Sequence, residues 1–369
     1  MEKLVYIEYL FILVISLGVA IAGGIFELRT AFIDKRRKRL NTIVAKLFSE
    51  KILEVDQFFP KKYRTLRTLL PALEEIDRKV AAPYWTFFKE TVLHRIIEKE
   101  IDLYLTSINW EKTVLGLKAL ELAPLPLYQE KVLSLLADPV DIVRFHAIKA
   151  SIAFTTYRST KSLITTMETM PAVLQFPYRD ALSKAPYSVH QFVLQIYRKT
   201  ESTSEKIECL KILGIKAGLL SEAEITEALQ SSNRYLCWWG ILAVSNNPYK
   251  PCIDLVIENL SSGMWQLKAV AAYTIGVLHY AAATDYLIPL IEAEQFWLRF
   301  TGATALRFLG EHGMSILEAA KQSKSDLAKN IVTYMLTLPE SEFQKGMRSF
   351  FPMNLDTVLL HEEVNPNVS

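Results

Sequence analysis

The chain has 369 residues, and 42 Lys and Arg residues against 40 Asp and Glu residues give a formal net charge of +2. Half of the residues are hydrophobic and only 13 are Gly and 15 are Pro, which excludes a collagen-like or disordered chain and favours a mostly helical one. The three cysteines, Cys209, Cys237 and Cys252, form no CxxC pair and cannot close a complete set of disulfides. We therefore expect a reducing compartment, with the cysteines acting as small hydrophobic residues.

The first predicted element is a membrane-spanning helix. Residues 9–26 carry no charged side chain, and this length approaches the roughly 20 residues that cross a bilayer core. A cleaved signal peptide would use Ala20 and Ala22 as its cleavage site, whereas a retained anchor over residues 1–30 would keep the helix. We favour the retained anchor, because only Lys3 precedes the span and Glu2 balances it.

A basic cluster follows the predicted span. Its members are Lys35, Arg36, Arg37, Lys38 and Arg39. Positively charged flanks remain in the cytoplasm, so the cluster predicts a single-pass inner-membrane protein with its N-terminus outside and the rest of the chain in the cytoplasm. The anionic inner leaflet would also attract these side chains. We interpret residues 31–107 as a basic juxtamembrane helical region and N-terminal cap, with helix breaks at Pro60, Pro71 and Pro83.

Small residues recur with a period of 31 between residues 108 and 338. The column is Gly116, Ala147, Tyr178, Cys209, Gly240, Ala271, Gly302 and Thr333. Residues two positions before it, and three and four positions after it, are mostly apolar, and these offsets share one face of a helix. Apolar residues sixteen positions after the column indicate a second helix in each period. Such a pair of helices cannot bury both its faces alone, so successive pairs are expected to stack.

In the clearest unit, residues 137–151, a turn with Asp138 is followed by the pair Val143 and Arg144 and by a face with Ala147 and Ala150. This pattern resembles the HEAT-like repeat family, in which an Asp-containing turn precedes a Val-Arg pair and an Ala-rich face. Residues 294–310 carry the same pattern without the Asp. The period is shorter than the roughly 40 residues of most HEAT units and is similar to the compact bacterial variety, which the bilin lyases share. A tetratricopeptide array is the alternative, but its signature is absent.

The resemblance implies an all-α, right-handed solenoid of antiparallel helix pairs, preceded by the predicted transmembrane helix. Residues 339–369, where the periodicity fades, are interpreted as a C-terminal tail that is partly disordered.

A polar column lies three positions before the small residues. Its members are Thr113, Arg144, Gln175, Lys206, Cys237, Lys268, Arg299 and Asn330. In the HEAT-like family the matching Arg pairs with the Asp of the preceding turn, which implies a pair between Asp138 and Arg144. The units of Lys206, Lys268 and Arg299 have no Asp at that position. These three cations are therefore candidate partner-binding residues, although a structural role stays open for each.

Two tryptophans complete the predicted partner surface. Trp265 and Trp297 lie near the starts of repeat helices, where exposure is expected, and exposed aromatic anchors carry much of the binding energy of protein interfaces. Trp238 instead occupies an apolar column and is expected to be buried. Packing remains an alternative role for Trp265 and Trp297.

No catalytic constellation is apparent in the sequence. The six His residues lack metal-ligand spacing, and no phosphate loop or GxSxG element occurs, so we predict no enzyme activity, no metal and no cofactor. The repeat region is slightly acidic, which argues against nucleic-acid binding. We predict a membrane-anchored scaffold that holds a protein partner, such as a membrane-associated enzyme, at the inner membrane. The alternative is a small-molecule-binding or bilin-lyase-like accessory enzyme that uses the concave face.

Overall fold

The computed structural model describes residues 34–35, 38–51, 65–80 and 83–346. Within these ranges the chain forms α-helices and short 3₁₀ turns and no β-strand, which confirms the predicted all-α class. Contacts divide the chain into two compact units, Met1–Phe154 and Thr155–Ser369. The predicted repeat region, residues 108–338, extends across this division.

The first unit contains six described helices. They are α1 (38–49), α2 (Leu66–Asp77), α3 (Pro83–Leu105), α4 (Trp110–Leu122), α5 (Gln129–Ser134) and α6 (Asp141–Ala153). Helix α4 packs against α2, α3 and α6. Pro71 lies inside α2 and does not break it. Its ring removes the hydrogen bond to the carbonyl of Arg67, but Arg67 is on the exposed side of the helix, where water can hydrate that carbonyl.

The second unit continues with twelve helices between residues 155 and 338. They are α7 (Tyr157–Glu168), α8 (Ala172–Ser183), α9 (Tyr187–Lys199), α10 (Thr203–Leu213), α11 (Glu222–Leu229), α12 (Arg234–Val244), α13 (Lys250–Asn259), α14 (Trp265–Val277), α15 (Thr284–Leu287), α16 (Phe296–Phe308), α17 (Glu311–Ala320) and α18 (Asp326–Thr337). A 3₁₀ turn, Ile288–Glu292, follows α15.

Every second helix from α4 onward, here called a B helix, begins at a regular spacing. The first residues of α4, α6, α8, α10, α12, α14 and α16 are 31 positions apart, and α18 begins one position early. In the second unit each B helix packs against the next B helix. Side-chain caps fix several of these starts: Asn233 accepts from the backbone N–H groups of Tyr235 and Leu236, and Ser325 accepts from that of Ala328.

Small residues allow the helices to approach closely. A Cβ added at Gly302 would lie 2.7 Å from the Cβ of Leu290, in the 3₁₀ turn that precedes α16. A Cβ at Gly276 of α14 would lie 2.6 Å from the Cα of Ala305 of α16. Real Cβ atoms do not approach other atoms so closely, so Gly is required at both positions for the observed packing. These contacts hold α16 against α14 and against its own preceding turn.

The predicted membrane localisation requires correction. Among the described residues, no helix is both long enough and apolar enough to span a bilayer. The longest described helix, α3, has 23 residues but carries seven charges, at Lys89, Glu90, Arg95, Glu98, Lys99, Glu100 and Asp102. A charged side chain within the bilayer core is costly. The prediction of a single-pass inner-membrane protein is therefore wrong on this finding, and residues 9–26, on which it depended, lie outside the described residues.

The predicted C-terminal tail begins with ordered structure. Residues 341–346 are helical, and the ring of Phe343 is buried with its centroid 4.9 Å from that of Phe308. The guanidinium of Arg307 lies 4.2 Å from the centre of the Phe343 ring. Residues 347–369 lie outside the described part of the chain.

Candidate functional site

Most side chains of the polar column bind backbone carbonyls in the turns that precede the B helices. Nη1 of Arg144 donates to the backbone carbonyl of Asp138 at 2.6 Å, and Nη1 of Arg299 donates to that of Ala293 at 2.7 Å. Gln175 donates to the carbonyl of Met170 at 2.9 Å, and Thr113 and Cys237 make comparable bonds. Each of these five side chains thus binds a carbonyl five to eight residues upstream, so at these five positions the column helps to hold the turn before the helix.

Arg144 finds its acid at a different position from the predicted one. Its Nη2 pairs with the carboxylate of Asp141, whereas the carboxylate of Asp138 accepts the backbone N–H of Val140 at 2.8 Å. The acid that meets the guanidinium is therefore the first residue of α6 and lies one helical turn before Arg144 on the same face.

The two candidate lysines differ in their surroundings. Lys206 is largely buried, pairs with Glu227 at 2.5 Å and lies 5.6 Å from the centre of the Tyr197 ring. Lys268 lies partly exposed on α14, without an ion-pair partner among the residues that the structure describes. Lys206 is thus satisfied within the repeat array, and it lies on α10, two repeats before α14. The structure does not bring it together with Lys268.

The basic cluster and the tryptophans lie in different units. Lys35, Lys38 and Arg39 are exposed in the first unit, whereas Arg36 and Arg37 lie outside the described residues. In the second unit, Trp265 is half-buried at the first residue of α14. Trp297 is half-buried on α16, with its ring centroid 5.3 Å from that of Phe296 and 5.9 Å from that of Phe300. As expected, Trp238 is buried.

An apolar groove lies between α16 and α18. Its volume is about 430 Å³, and we refer to it as the α16–α18 groove. The lining residues are Phe296, Arg299, Phe300, Leu327, Asn330, Ile331 and Tyr334. Phe296, Leu327 and Tyr334 are 50%, 54% and 48% exposed. Side chains of this size are usually covered in a folded protein, so an open strip of them marks a candidate interaction surface.

Arg299 is the charged residue in this largely apolar lining. The residue is 7% exposed, and its Nη1 donates to the carbonyls of Ala293 and Glu294 at 2.7 and 2.5 Å. Its Nε is buried without a hydrogen-bond partner. No carboxylate of the described residues pairs with this guanidinium, so Arg299 brings an uncompensated positive charge to the groove.

A second cluster of charges, on α7, α8 and α10, is paired internally. The carboxylate of Glu205 accepts from Lys161 and Thr200, and that of Glu208 accepts from Arg179 and Lys211, both at 2.9 Å. Burial by itself raises the pKa of the Glu205 carboxyl, but the hydrogen bonds from Lys161 and Thr200 outweigh it and lower the pKa overall. The lowered pKa keeps the Glu205 carboxylate ionised at neutral pH, and both acids are occupied by their hydrogen-bond partners.

Glu168 lies close to this cluster and behaves in the opposite way. Burial, with the nearby charges of Glu205 and Glu208, raises the pKa of the Glu168 carboxyl despite a hydrogen bond from Ser204. The cysteines also have high values, since burial raises the thiol pKa of Cys237 to about 11 and also raises those of Cys209 and Cys252. A thiol with a raised pKa is a poor nucleophile at neutral pH.

The part of the chain that the structure describes contains no group of three or more His, Cys, Asp and Glu side chains placed to hold a metal ion. Of its surfaces, the α16–α18 groove combines a defined volume, large exposed apolar side chains and one unpaired charge. We therefore take it as the candidate functional site.

The sequence predictions reach this site only in part. Arg299 lines the groove and Trp297 supports its aromatic wall, but Leu327, Ile331 and Tyr334 were not singled out. A signal was present in the register, because Leu327 follows Phe296 by one period and Ile331 follows Phe300. Two apolar residues that lie two positions before the column of small residues were expected to be buried. These residues, Phe145 and Phe176, are exposed.

No known protein-family model matches the chain, and no curated protein sequence matches it. The solved structures that are similar to it include the following three, all at low sequence identity. Human deoxyhypusine hydroxylase in complex with glycerol is 15% identical with a TM-score of 0.28, over 69% of this chain and 98% of the enzyme. An engineered protein is 13% identical with a TM-score of 0.31, over 84% and 97%. Kap121p is 9% identical with a TM-score of 0.38, over 88% of this chain and 46% of Kap121p. TM-scores this low assign neither a family nor a function.

Proposed function

We propose that this chain is a HEAT-like helical-repeat scaffold that binds a protein partner, and that the α16–α18 groove holds an apolar helix of that partner. One observation carries the proposal: Phe296, Leu327 and Tyr334 remain about half exposed around a groove of about 430 Å³. Large apolar and aromatic side chains that gather around a concavity are typical anchors of protein interfaces.

The arrangement of the lining favours a helix as the bound element. On α16 the lining residues Phe296 and Phe300 are four positions apart, and on α18 Leu327, Ile331 and Tyr334 follow at intervals of four and three. Each wall is therefore an apolar stripe along one helix. A third helix with a matching stripe can pack its side chains between two such ridges, as in helix-in-groove recognition.

The repeat type has separate support. The 31-residue spacing of the B helices from α4 to α16 agrees with the compact HEAT-like variety that the sequence resembles, and Arg144 binds the turn that precedes its helix.

The groove also offers apolar surface for binding. Burying the exposed parts of Phe296, Leu327 and Tyr334 would contribute about 25 cal/mol for each Å² of apolar surface removed from water. A binding role needs no reactive nucleophile, and the raised pKa values of the Cys237 and Cys252 thiols are consistent with that.

A photo-crosslinking experiment tests this proposal. The photoreactive residue p-benzoylphenylalanine replaces Tyr334 in the groove or, as a control, the similarly exposed Tyr286 of α15. We expect a specific cross-linked partner from the groove position only. The partner, once identified by mass spectrometry and purified, is then titrated against the chain in a calorimeter.

Variants make the titration decisive. The double variant Leu327→Ala/Tyr334→Ala should weaken binding about hundredfold, because it removes two central apolar anchors. The matched control is Tyr286→Ala/Ile288→Ala, which removes two similarly exposed side chains away from the groove and should leave the affinity within about twofold. Equal affinities of the groove variant and the wild type would show that the partner binds elsewhere.

A further inference from the structure

The free edge of Arg299 suggests which chemical group the groove recognises. In a guanidinium, the N–H of Nε and one N–H of Nη2 point the same way and form an edge that binds both oxygens of a carboxylate. In Arg299, Nη1 is occupied by the carbonyls of Ala293 and Glu294, whereas Nε is buried without a partner. Nη2 likewise has no partner among the residues that the structure describes. The unoccupied nitrogens are thus the two that form the carboxylate-binding edge.

An equivalent position in the chain shows what an available Nη2 can bind. Arg144 is the fourth residue of α6, as Arg299 is of α16, and both use Nη1 to bind a carbonyl six residues upstream. Nη2 of Arg144 then pairs with the carboxylate of Asp141, the first residue of α6. The first residue of α16 is Phe296, which cannot supply a carboxylate. The charge that Asp141 compensates in one repeat is therefore left uncompensated in the other.

Burial makes this difference energetically important. A charge that is 7% exposed retains little of its hydration, and an ionised partner with bidentate hydrogen bonds is the most effective replacement. Any carboxylate that reaches Arg299 must enter the α16–α18 groove between apolar walls, since Arg299 lines that groove. The complementary ligand therefore has an acidic group among apolar ones.

We infer that the partner helix carries an Asp or Glu within its apolar stripe and that Arg299 binds this carboxylate through Nε and Nη2. The inference rests on the proposed function and adds the charge that selects the partner. A helix is the occupant to which we commit, because the two walls are stripes along α16 and α18 and Arg299 lies between Phe296 and Phe300 on one of them. Arg299 thus acts as a specificity-determining residue.

Two synthetic peptides test this inference. Each is a short amphipathic helix blocked at both ends, with Leu residues along one face and a single Glu or Gln between two of them. Binding is followed by fluorine NMR on full-length protein containing 5-fluorotryptophan, with the Trp297 resonance assigned from Trp297→Phe. Trp297 reports on the groove because its ring contacts those of Phe296 and Phe300. We expect the Glu peptide to bind about tenfold more tightly than the Gln peptide.

The variants Phe296→Asp and Phe296→Asn form a matched pair. Both remove the same half-exposed aromatic ring, but only Phe296→Asp places a carboxylate where Asp141 stands relative to Arg144. Phe296→Asn should keep the preference for the Glu peptide, whereas Phe296→Asp should lose it. Arg299→Lys, which retains a donor for the turn but has no bidentate edge, should reduce the preference as well. Circular dichroism verifies that each variant is helical.

The possible outcomes separate this inference from the proposed function. Equal binding of the two peptides to the wild type would overturn the carboxylate inference while leaving the groove as a binding surface. A Glu preference that persists in Phe296→Asp would overturn the assignment to Arg299. Octanoate, a small apolar acid, is added as a competitor for the groove. If it bound more tightly than the Glu peptide, the occupant would be an apolar acid and not a helix. If neither peptide shifted the Trp297 resonance, the groove itself, and with it the proposed function, would be wrong.

Discussion

The starts of α6 and α16 differ in one respect that determines whether an arginine serves only the fold. Both helices have Arg at the fourth position, and both arginines hold the preceding turn through Nη1. In α6 the first residue, Asp141, completes the pairing, whereas in α16 the first residue is Phe296. The repeat therefore positions the guanidinium, while a single neighbouring residue decides whether its Nη2 is paired.

The start of α10 provides a third arrangement. The equivalent position there is Lys206, which pairs with Glu227, and the residue six positions upstream, Thr200, donates to the buried carboxylate of Glu205. At this start the central group is the carboxylate of Glu205, which accepts hydrogen bonds from Lys161 and Thr200. The interactions at helix starts in the same register can therefore centre on an acid or on a base. At the start of α16 the base, Arg299, lines a groove and keeps an unpaired Nε.

The arrangement around Arg299 depends on the position of α16, so the largest effect should come from displacing this helix. Gly276→Val would place side-chain atoms against the backbone of α16, because even a Cβ at Gly276 would lie 2.6 Å from the Cα of Ala305. We expect a loss of about 3 kcal/mol in the free energy of unfolding, measured from urea denaturation. Gly263→Ala is the control, since a Cβ there meets no atom within 4 Å. Comparable losses in both variants would contradict the close packing of α14 and α16.

A smaller effect is expected at the acid-centred start of α10. Glu205→Gln removes the charge that Lys161 and Thr200 bind, and we expect it to cost about 2 kcal/mol at pH 7. The folded-state pKa of Glu205 is lowered, so its contribution to stability is present above the unfolded-state pKa near 4.5 and is lost as the pH falls through the folded value. Urea denaturation at pH 7 and pH 3 should therefore show a gap between wild type and variant that is smaller at pH 3.

The exposed Glu201, changed to Gln, is the control for this measurement and should have no effect at either pH. A gap between wild type and Glu205→Gln of equal size at both pH values would indicate that the carboxylate charge contributes nothing.

The smallest effect should come from removing the acid of α6. Asp141→Asn leaves Arg144 its carbonyl bond but takes away the ion pair, and the Asp141 side chain is 84% exposed. We expect a loss of about 0.5 kcal/mol in thermal or urea denaturation, because solvent screens such a pair. Asp326→Asn, at the first residue of α18, removes a similarly exposed acid that meets the more exposed Lys329 and should give no measurable change. A loss above about 2 kcal/mol for Asp141→Asn would show that the acid is essential to the fold of α6.

Much of the helical framework could be predicted from the sequence because the repeat is visible in it. The columns of small and apolar residues identified helices whose first residues are spaced as the period requires. The candidate site could be predicted only in part. Arg299 was a candidate partner-binding cation, but it is 7% exposed, and both N–H groups of its Nη1 serve the turn. The opposite wall of the groove belongs to α18, and which of its side chains face α16 depends on how the two helices are packed.

The sequence by itself determined the all-α class, the 31-residue register and the residue types at each helix start. These features are local, since they follow from helical periodicity, capping and the volume of side chains at fixed offsets. Only the tertiary structure decided that Phe145 and Phe176 are exposed, that Lys206 is paired and that Arg299 faces an apolar groove. The reason is physical: burial and pairing depend on which helix packs opposite a residue, and the register alone does not specify that neighbour.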